Sequence, residues 1–511
     1  MAEKYPERAA FIVGEFGPTV TYAELNARSN QIAHALAGLG IGPGDGVAVV
    51  LPNIAEFGEI WWAAMRSGLY FTPVNWHLTA SEIRFVVEDC GAKALFFHDD
   101  FAETAMEATE GLDLHRIRVG GRPGVAADVI GLDEFTAGRP ETRIVHEYAG
   151  APMFYSSGTT GKPKGIRPRL TAAAPDAGPS LMRSVMDQHG LTENTRYLSS
   201  GPLYHSSPTL WSFGQQTIGG TAVIMPRFDA ESALRLIEKH AITHSQWVPT
   251  MFTRLLSLPE DVRTRYDLTS HRVAYHAAAP CAVDVKRRMI EWWGEILVEF
   301  YAATEGGSTV ITSGEWLKRP GSVGRAWAGG KVYVLDPGTH EEVSAGTPGL
   351  VYFQAMANHR FEYHNDPEKT AEVYRGDKVT AGDIGYLDDE GYLFLTDRSS
   401  DMIISGGVNI YPREIEDVLL GHPAVADVAV FGIPNKEFGE EVLAVVQPAE
   451  PGAGSRELGE QLIAYCREHL AGFKAPRRVE FAGSLPRDPN GKLYKRRLRD
   501  EYWQGRSGTL I

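Results

Sequence analysis

The chain has 511 residues, of which 43% are hydrophobic, 10% aromatic and 23% charged. At a prior of about 150 residues per domain this suggests roughly three folding units, or one large and one small, with ample apolar material for a core. The composition excludes a disordered, collagenous or disulfide-scaffold protein. Its 50 Lys and Arg against 65 Asp and Glu leave a formal charge of −15. That field opposes nucleic-acid and anionic-membrane binding, so an anionic ligand would need local basic groups and backbone amides.

No apolar run approaches the roughly 20 residues that cross a bilayer, and the start MAEKYPERAA lacks the apolar core of a signal peptide. Cys90, Cys281 and Cys466 are few, odd in number and far apart. A reducing compartment is expected, with no cysteine spacing for a metal. Together these point to a soluble cytoplasmic protein without a transmembrane segment or a nucleic-acid partner.

Along the chain, Thr21-x-x-Glu24 predicts a capped helix continuing through Leu25, Ile32 and Leu36. Gly38, Gly40, Gly42 and Gly44 then punctuate it before the apolar run Val47–Leu51. That cluster precedes a strand instead of following one, so it reads as a helix stop and tight turn, not a dinucleotide fingerprint. A helix with Trp61, Trp62 and Met65, a strand at Leu69–Val74, a helix opened by Thr79-x-x-Glu82 and a strand at Ala94–Phe97 follow. Such alternation predicts a mostly parallel α/β sheet. Arg167–Pro179 is Pro/Ala-rich and aperiodic, so a mobile surface loop is expected there. Beyond residue 400, a helix at Ile415–Leu420, short strands at Val425–Val430 and Val442–Val446, and a helix at Arg456–Leu470 predict a compact α+β unit.

The most informative segment is YSSGTTGKPKG, residues Tyr155 to Gly165. Its glycines let backbone N–H groups face inward, its four hydroxyls add donors and Lys162 and Lys164 add charge. Such a loop can hold a polyphosphate inside an acidic protein. It is not a Walker A loop, because Gly158 and Gly161 are too close and Pro163 stands where Ser or Thr should follow the lysine. A Ser/Gly-rich surface turn is the plain alternative.

This loop closely resembles the signature of the adenylate-forming superfamily: acyl-CoA synthetases, peptide-synthetase adenylation domains and luciferases. Further landmarks follow in order across nearly the whole chain. They are Tyr301-Ala302-Ala303-Thr304-Glu305, Asp383 in AGDIGYLDDEGY, Arg398 in TDRSSD and Lys492 in PRDPNGKLYKR. The resemblance implies an α/β multi-domain fold. Residues 1–399 would form a large N-terminal domain of layered sheets with a distorted barrel, and residues 400–511 a small mobile α+β lid, hinged near Ser400. It also implies ATP, Mg²⁺ and CoA as cofactors and substrates.

By that resemblance Ser156, Ser157, Gly158, Thr159, Thr160, Gly161 and Lys164 would hold the ATP phosphates. Ala277, Ala278, Ala279, Tyr301 and Ala302 would line the adenine slot, with Tyr301 stacking on the base. Asp383 would accept from the ribose hydroxyls, which suits a two-oxygen acceptor, and Arg398 would complete that clamp. Thr304 would contact the α-phosphate and Glu305 would bind the metal. Lys492 would bridge the carboxylate and α-phosphate oxygens, where an anion attacks an anion and charge neutralisation dominates the barrier. One more lysine in a basic tail is the alternative for Lys492, and a solvated surface glutamate that for Glu305. For the second half-reaction, Ser405, Gly406 and Gly407 resemble the glycine loop of a pantetheine tunnel. Lys474 and Arg477 would meet CoA phosphates, or belong to a solvated face.

Gly201-Pro202-Leu203-Tyr204-His205-Ser206 resembles the substrate segment of acyl-CoA synthetases. His205 would border the acyl site, a packed histidine being the alternative. Trp247, Val248 and Met251 are candidates for the acyl wall or for core. The segments KGIRPRL, HAAAPC and FEYHNDPEKT look most like relatives acting on bulky cyclic or polycyclic acids, of bile-acid, steroid or terpenoid type, with a fatty or aryl acid as the rival. The expected activity is AMP-forming ligation of a small apolar carboxylic acid to CoA. The alternatives are transfer to a carrier-protein thiol or partner enzyme, and an inactive binding or scaffold homologue.

Overall fold

The computed structural model describes residues 1–121, 128–156, 163–175, 177, 183, 186–187, 189–279, 281–302, 306–327, 329–355, 360–398, 401–405, 408–435, 438–487 and 493–503. At 156, 397, 398, 404, 408 and 409 it describes the backbone alone. Both helix starts read from the sequence are capping boxes. Thr21 and Glu24 open helix Tyr22–Gly38, and Thr79 and Glu82 open helix Ala80–Asp89. In each, the threonine hydroxyl and the glutamate carboxylate satisfy N–H groups that helix geometry leaves without partners. The first helix stops where Gly40 and Gly44 take φ of 77° and 90°, conformations open to glycine.

Strands Gly46–Val50, Tyr70–Pro73, Ala92–His98, His115–Val119, Val129–Gly131 and Ala151–Pro152 pair in parallel. The first two of these are buried throughout, as expected of a parallel sheet covered on both faces. A second, larger sheet sets Ala9–Val13, Thr221–Ile224, Arg196–Ser199, His244–Trp247, Val273–His276 and Leu297–Ala302 side by side in parallel. It then turns antiparallel through Ser308–Thr312, Ser322–Ala326, Leu393–Arg398 and Asp383–Leu387. A small sheet of Phe154–Ser156, Lys164–Arg167 and Glu362–Tyr363 shares a core with that antiparallel part through Ile166, Phe353, Tyr363 and Leu393. This is the barrel-like portion of the large domain.

The small C-terminal unit differs from expectation in one respect. Val425–Asn435 and Gly439–Pro448 form one long antiparallel hairpin, where two short strands were expected. Pairing continues through Gly432, Ile433 and Pro434 because each keeps a partner on the facing strand. Pro434 sits near the hairpin end, a position that tolerates proline in a sheet. Helix Pro412–Leu420 packs on this hairpin and also reaches strand Leu393–Arg398 of the large domain. Helix Arg456–His469 lies close to its predicted place. The surface loop expected at Arg167–Pro179 partly lies outside the described residues; from Pro168 to Pro175 it has neither helix nor strand.

Candidate active site

Several candidates, His205, Trp247, Ala277–Ala279 and Tyr301, lie at or just past the carboxyl ends of parallel strands of the large sheet, where open α/β sheets bind ligands. Strand Arg196–Ser199 leads to His205, which immediately precedes helix Ser206–Ile218. Asn53, buried, fixes this crossing. Its side-chain amide donates to the Gly201 and Met225 carbonyls at 3.0 and 2.7 Å and accepts from the Leu203 N–H at 2.8 Å. Nothing in the sequence pattern marked Asn53, since its partners lie far along the chain. Strand Val273–His276 ends in Ala277, Ala278 and Ala279. Ala278 has a φ of 73°, a left-handed conformation that is strained for a residue with a Cβ.

Strand Leu297–Ala302 carries the next group. Its Tyr301 hydroxyl donates to Asp383 Oδ2 at 2.5 Å, and the Tyr301 ring lies 5.6 Å from that of Phe353. Two residues assigned separately to base and ribose are thus joined across 82 positions of sequence. Asp383 is buried and stands opposite Arg398 in the antiparallel register of their strands. Past Ala302 the chain returns at Gly307, where a Cβ would lie 2.1 Å from Phe353 Cγ. Only glycine lets the backbone pass over that ring.

Lys164 starts a strand whose register sets it opposite Ser156. The intervening loop residues Ser157, Gly158, Thr159, Thr160 and Gly161 lie outside the described residues. The base of this hairpin is tightly held. The Tyr155 hydroxyl donates to Asp89 Oδ2 at 2.6 Å, and Asn365 Nδ2 donates to Asp89 Oδ1 at 3.2 Å. Burial, with the nearby Cys90 and the Asp89 hydrogen bond, keeps the Tyr155 phenol protonated. A Cβ on Gly165 would lie 2.5 Å from Met153 Cε and 2.9 Å from Tyr155 Cζ, so a larger residue here would have to displace both side chains. Lys164 opens on a cleft of about 370 Å³ whose walls include Asp89, Tyr363 and Asp366, and its ammonium lies 5.2 Å from the centre of the Tyr363 ring. Asp89 is a further residue that the sequence reading missed.

The two faces of the large sheet separate the remaining candidates. Registers pair Gln246 with Tyr275 and Trp247 with His276, so the members of each pair share a face. Trp247 and Met251, candidates for the acyl wall, are only 1% and 3% exposed and belong to the core under helices Ala230–Lys239, Pro249–Leu256 and Val283–Trp293, with Val248 packed against it. Trp247 donates its indole N–H to Ser245 at 2.6 Å. Packing accounts for both residues.

The opposite face carries a second, largely buried aromatic cluster. Trp211 lies 4.5 Å from Tyr275 and 5.9 Å from Phe300, while His189 lies 5.1 Å from Tyr275 and 4.5 Å from Trp327. Tyr197, fully buried, lies 6.2 Å from Trp211 and donates to Gln246 at 2.9 Å. Of the two readings the sequence left open for Trp247, acyl wall or core, the packing is that of the core, and its neighbour Gln246 lies on the opposite face.

In the small unit, Lys474 pairs with both carboxylate oxygens of Glu414 at 2.8 and 2.6 Å, and the Arg477 guanidinium lies 4.1 Å from the centre of the Phe438 ring. Ser405 pairs with Gly439, the residue after Phe438, so Ser405 and Arg477 occupy one neighbourhood. Ser400, Gly406, Gly407, Thr304, Glu305 and Lys492 lie outside the described residues. Among the described residues no group of three His, Cys, Asp or Glu could hold a metal, and no helix is long and apolar enough to cross a membrane.

A family model described as AMP-binding enzyme matches residues 1–358, and one described as AMP-binding enzyme C-terminal domain matches residues 414–492. The chain belongs to the AMP-binding enzyme family. It is 33% identical to a fatty acid–acyl-carrier-protein ligase of Streptomyces coeruleorubidus, over 95% of this chain and 92% of that one. It is 32% identical to a methyl-dioxo-octahydroindenyl-propanoyl:CoA ligase of Rhodococcus jostii, over 98% and 97%. Among solved structures, it is similar to o-succinylbenzoate CoA synthetase from Bacillus subtilis in complex with its acyl-adenylate intermediate. That likeness has a TM-score of 0.82 at 29% identity and covers 100% of this chain and 98% of the other. The protein is an adenylate-forming ligase of the acyl-CoA synthetase type, using ATP and releasing AMP.

Burial holds His189 near a pKa of about 4, with His244 adding to the effect, and burial brings His244 to about 4 as well, followed by Arg272. Above the free imidazole value near 6.5 these rings are neutral in both folded and unfolded chains. As pH falls toward 4 the unfolded chain binds protons that the folded site refuses, so stability is lost across that window. The melting temperature should therefore fall between about pH 6.5 and pH 4, less steeply in a His189→Phe variant. Equal slopes for variant and parent would contradict a neutral, buried imidazole at this position.

Proposed function

We propose that the protein activates a ring-bearing apolar carboxylic acid and transfers it to the thiol of CoA. The substrate carboxylate oxygen attacks the α-phosphorus of ATP, the bond to pyrophosphate breaks, and acyl-adenylate forms. The CoA sulfur then attacks the acyl carbonyl carbon, AMP departs and the thiol proton is released. The observation that carries this reading is that the Ala277–Ala279 turn, the Tyr301–Asp383 hydrogen bond and the His205 crossing all lie at the carboxyl end of one parallel sheet.

In this reading Lys164 and the loop from Ser156 to Gly161 hold the outer phosphates, Asp383 and Arg398 hold the ribose, and Thr304 contacts the α-phosphate. Mg²⁺ would arrive with ATP and take Glu305 as its protein ligand; this ion is commonly held by one or two carboxylates and substrate phosphates. When bound, it would neutralise phosphate charge. Lys492 is proposed to steady the charge that develops between carboxylate and α-phosphate. A boundary at residue 399, with Ser400 as hinge, would let the small domain exchange Lys492 for Ser405, Gly406, Gly407, Lys474 and Arg477 before thiol attack. Lys474 would first have to leave Glu414.

The ring preference is supported by the wall of Trp211, Tyr275, Phe300, His189 and Trp327, since flat or fused-ring acids gain face and edge contacts there. The Rhodococcus jostii and Bacillus subtilis relatives, whose names specify ring-bearing acids, also favour it. A second reading, transfer to a carrier protein, is favoured by the Streptomyces relative. We place the reaction in the cytoplasm.

The reading is tested by incubating the protein with Mg-ATP, CoA and a panel of long-chain, aryl and fused-ring acids. Mass spectrometry should find AMP and acyl-CoA, with ring-bearing acids turned over fastest and Trp211→Ala eroding that preference. Formation of ADP would contradict the chemistry, and pyrophosphate exchange without acyl-CoA would select the carrier reading. Separately, Lys492→Ala should slow adenylation by roughly 10²–10³-fold, the scale of losing one preorganised charge-stabilising donor. Thioester formation from supplied acyl-adenylate should survive. Equal loss in both half-reactions would refute the exchange of Lys492 between them.

A further inference from the structure

Behind the nucleotide side of the site lies a charged pair that no step above uses. Lys286, on helix Val283–Trp293, is fully buried and donates to Glu299 Oε2 at 2.5 Å. Glu299 is 7% exposed and sits on strand Leu297–Ala302, two residues before Tyr301. His276, fully buried at the end of strand Val273–His276, places Nε2 3.8 Å from the same Glu299 oxygen. Neither of its ring nitrogens has a hydrogen-bond partner among the described residues. The Lys286 ammonium also lies 4.8 Å from the centre of the Trp316 ring.

Stability alone is a poor explanation for this cluster. Withdrawing two charges from water is so unfavourable that replacing a buried ion pair by apolar residues is often neutral or stabilising. Its location offers a better one. Helix Val283–Trp293 follows the Ala277–Ala279 turn directly, and Glu299 lies just upstream of Tyr301. The pair therefore ties together the two ends of one slot, the turn on one side and the exit of strand Leu297–Ala302 on the other. Ala278, at a φ of 73°, sits in that turn. A strained backbone persists only where its surroundings over-determine it, and a short charge-assisted hydrogen bond between the flanking elements does so.

We propose that Lys286 and Glu299 are positioning residues that set the width of the adenosine slot between Ala277–Ala279 and Tyr301. The inference rests on the assignment of those segments to the nucleotide. Neither residue touches the nucleotide. They act through the turn that Lys286 anchors and the tyrosine that Glu299 precedes.

The test is calorimetric titration of the full-length protein with Mg-ATP, together with thermal melting and pyrophosphate-exchange kinetics. Single variants Lys286→Met and Glu299→Gln leave one buried charge uncompensated and are expected to melt at markedly lower temperature. The informative variant is the double Lys286→Met/Glu299→Leu, in which no charge is stranded. It should fold and melt within a few degrees of the parent, while the Kd for Mg-ATP rises about tenfold. The KM for ATP should rise with it and the KM for the acid should stay within about twofold. A folded double variant with parental ATP affinity would overturn the proposal, and so would one that fails to fold, because the pair would then serve stability alone. If the parent itself binds no ATP, the failure lies in the nucleotide assignment and not in the role of the pair.

Discussion

One strand with two faces is the constraint on which the site depends. In strand Leu297–Ala302 successive side chains point to opposite sides, so Phe300 joins the aromatic wall with Trp211 while Tyr301 reaches Asp383. The same alternation on strands His244–Trp247 and Val273–His276 sends Gln246 and Tyr275 to one face and Trp247 and His276 to the other. An aromatic cluster and the Tyr301–Asp383 hydrogen bond can then share a single backbone. A reaction that joins a carboxylate to a phosphorus needs that adjacency, because its two substrates differ in everything except the atoms that meet.

The electrostatics follow from the overall charge. A protein of net charge −15 can attract a polyphosphate only through local arrangements. Here the arrangement is a hairpin whose base is fixed by hydrogen bonds from Tyr155 and Asn365 to the Asp89 carboxylate and whose return strand begins with Lys164. The carboxylates nearby are already engaged: Asp89 receives two donors and Asp383 receives the Tyr301 hydroxyl. At these positions the negative charge is met in part by protein donors.

Much of the fold could be read from the sequence because its signals are local. The two capping boxes and the glycines after helix Tyr22–Gly38 depend on neighbours three or four residues away. The adenylate-forming signature and the order of the landmarks likewise pointed to the family. What escaped were interactions between distant segments. Asn53 meets residues some 150 positions away and Asp89 meets Asn365 across 276. No periodicity marks either. Whether Trp247 served an acyl wall or the core could likewise not be read, because the face of a buried strand is decided by its neighbours. The hairpin of Val425–Asn435 and Gly439–Pro448 was read as shorter than it is, since Gly432 and Pro434 look like strand breakers until their partners are known.

The most direct measurement is a crystal structure with a nonhydrolysable acyl-sulfamoyl adenosine whose acyl group carries a fused ring. The account predicts the adenosine between Ala277–Ala279 and Tyr301, its ribose on Asp383, and the ring against Trp211 and Tyr275 on the other face of the same sheet. Adenosine bound away from Tyr301 and Asp383, or a ring lodged beside Trp247 instead, would contradict it.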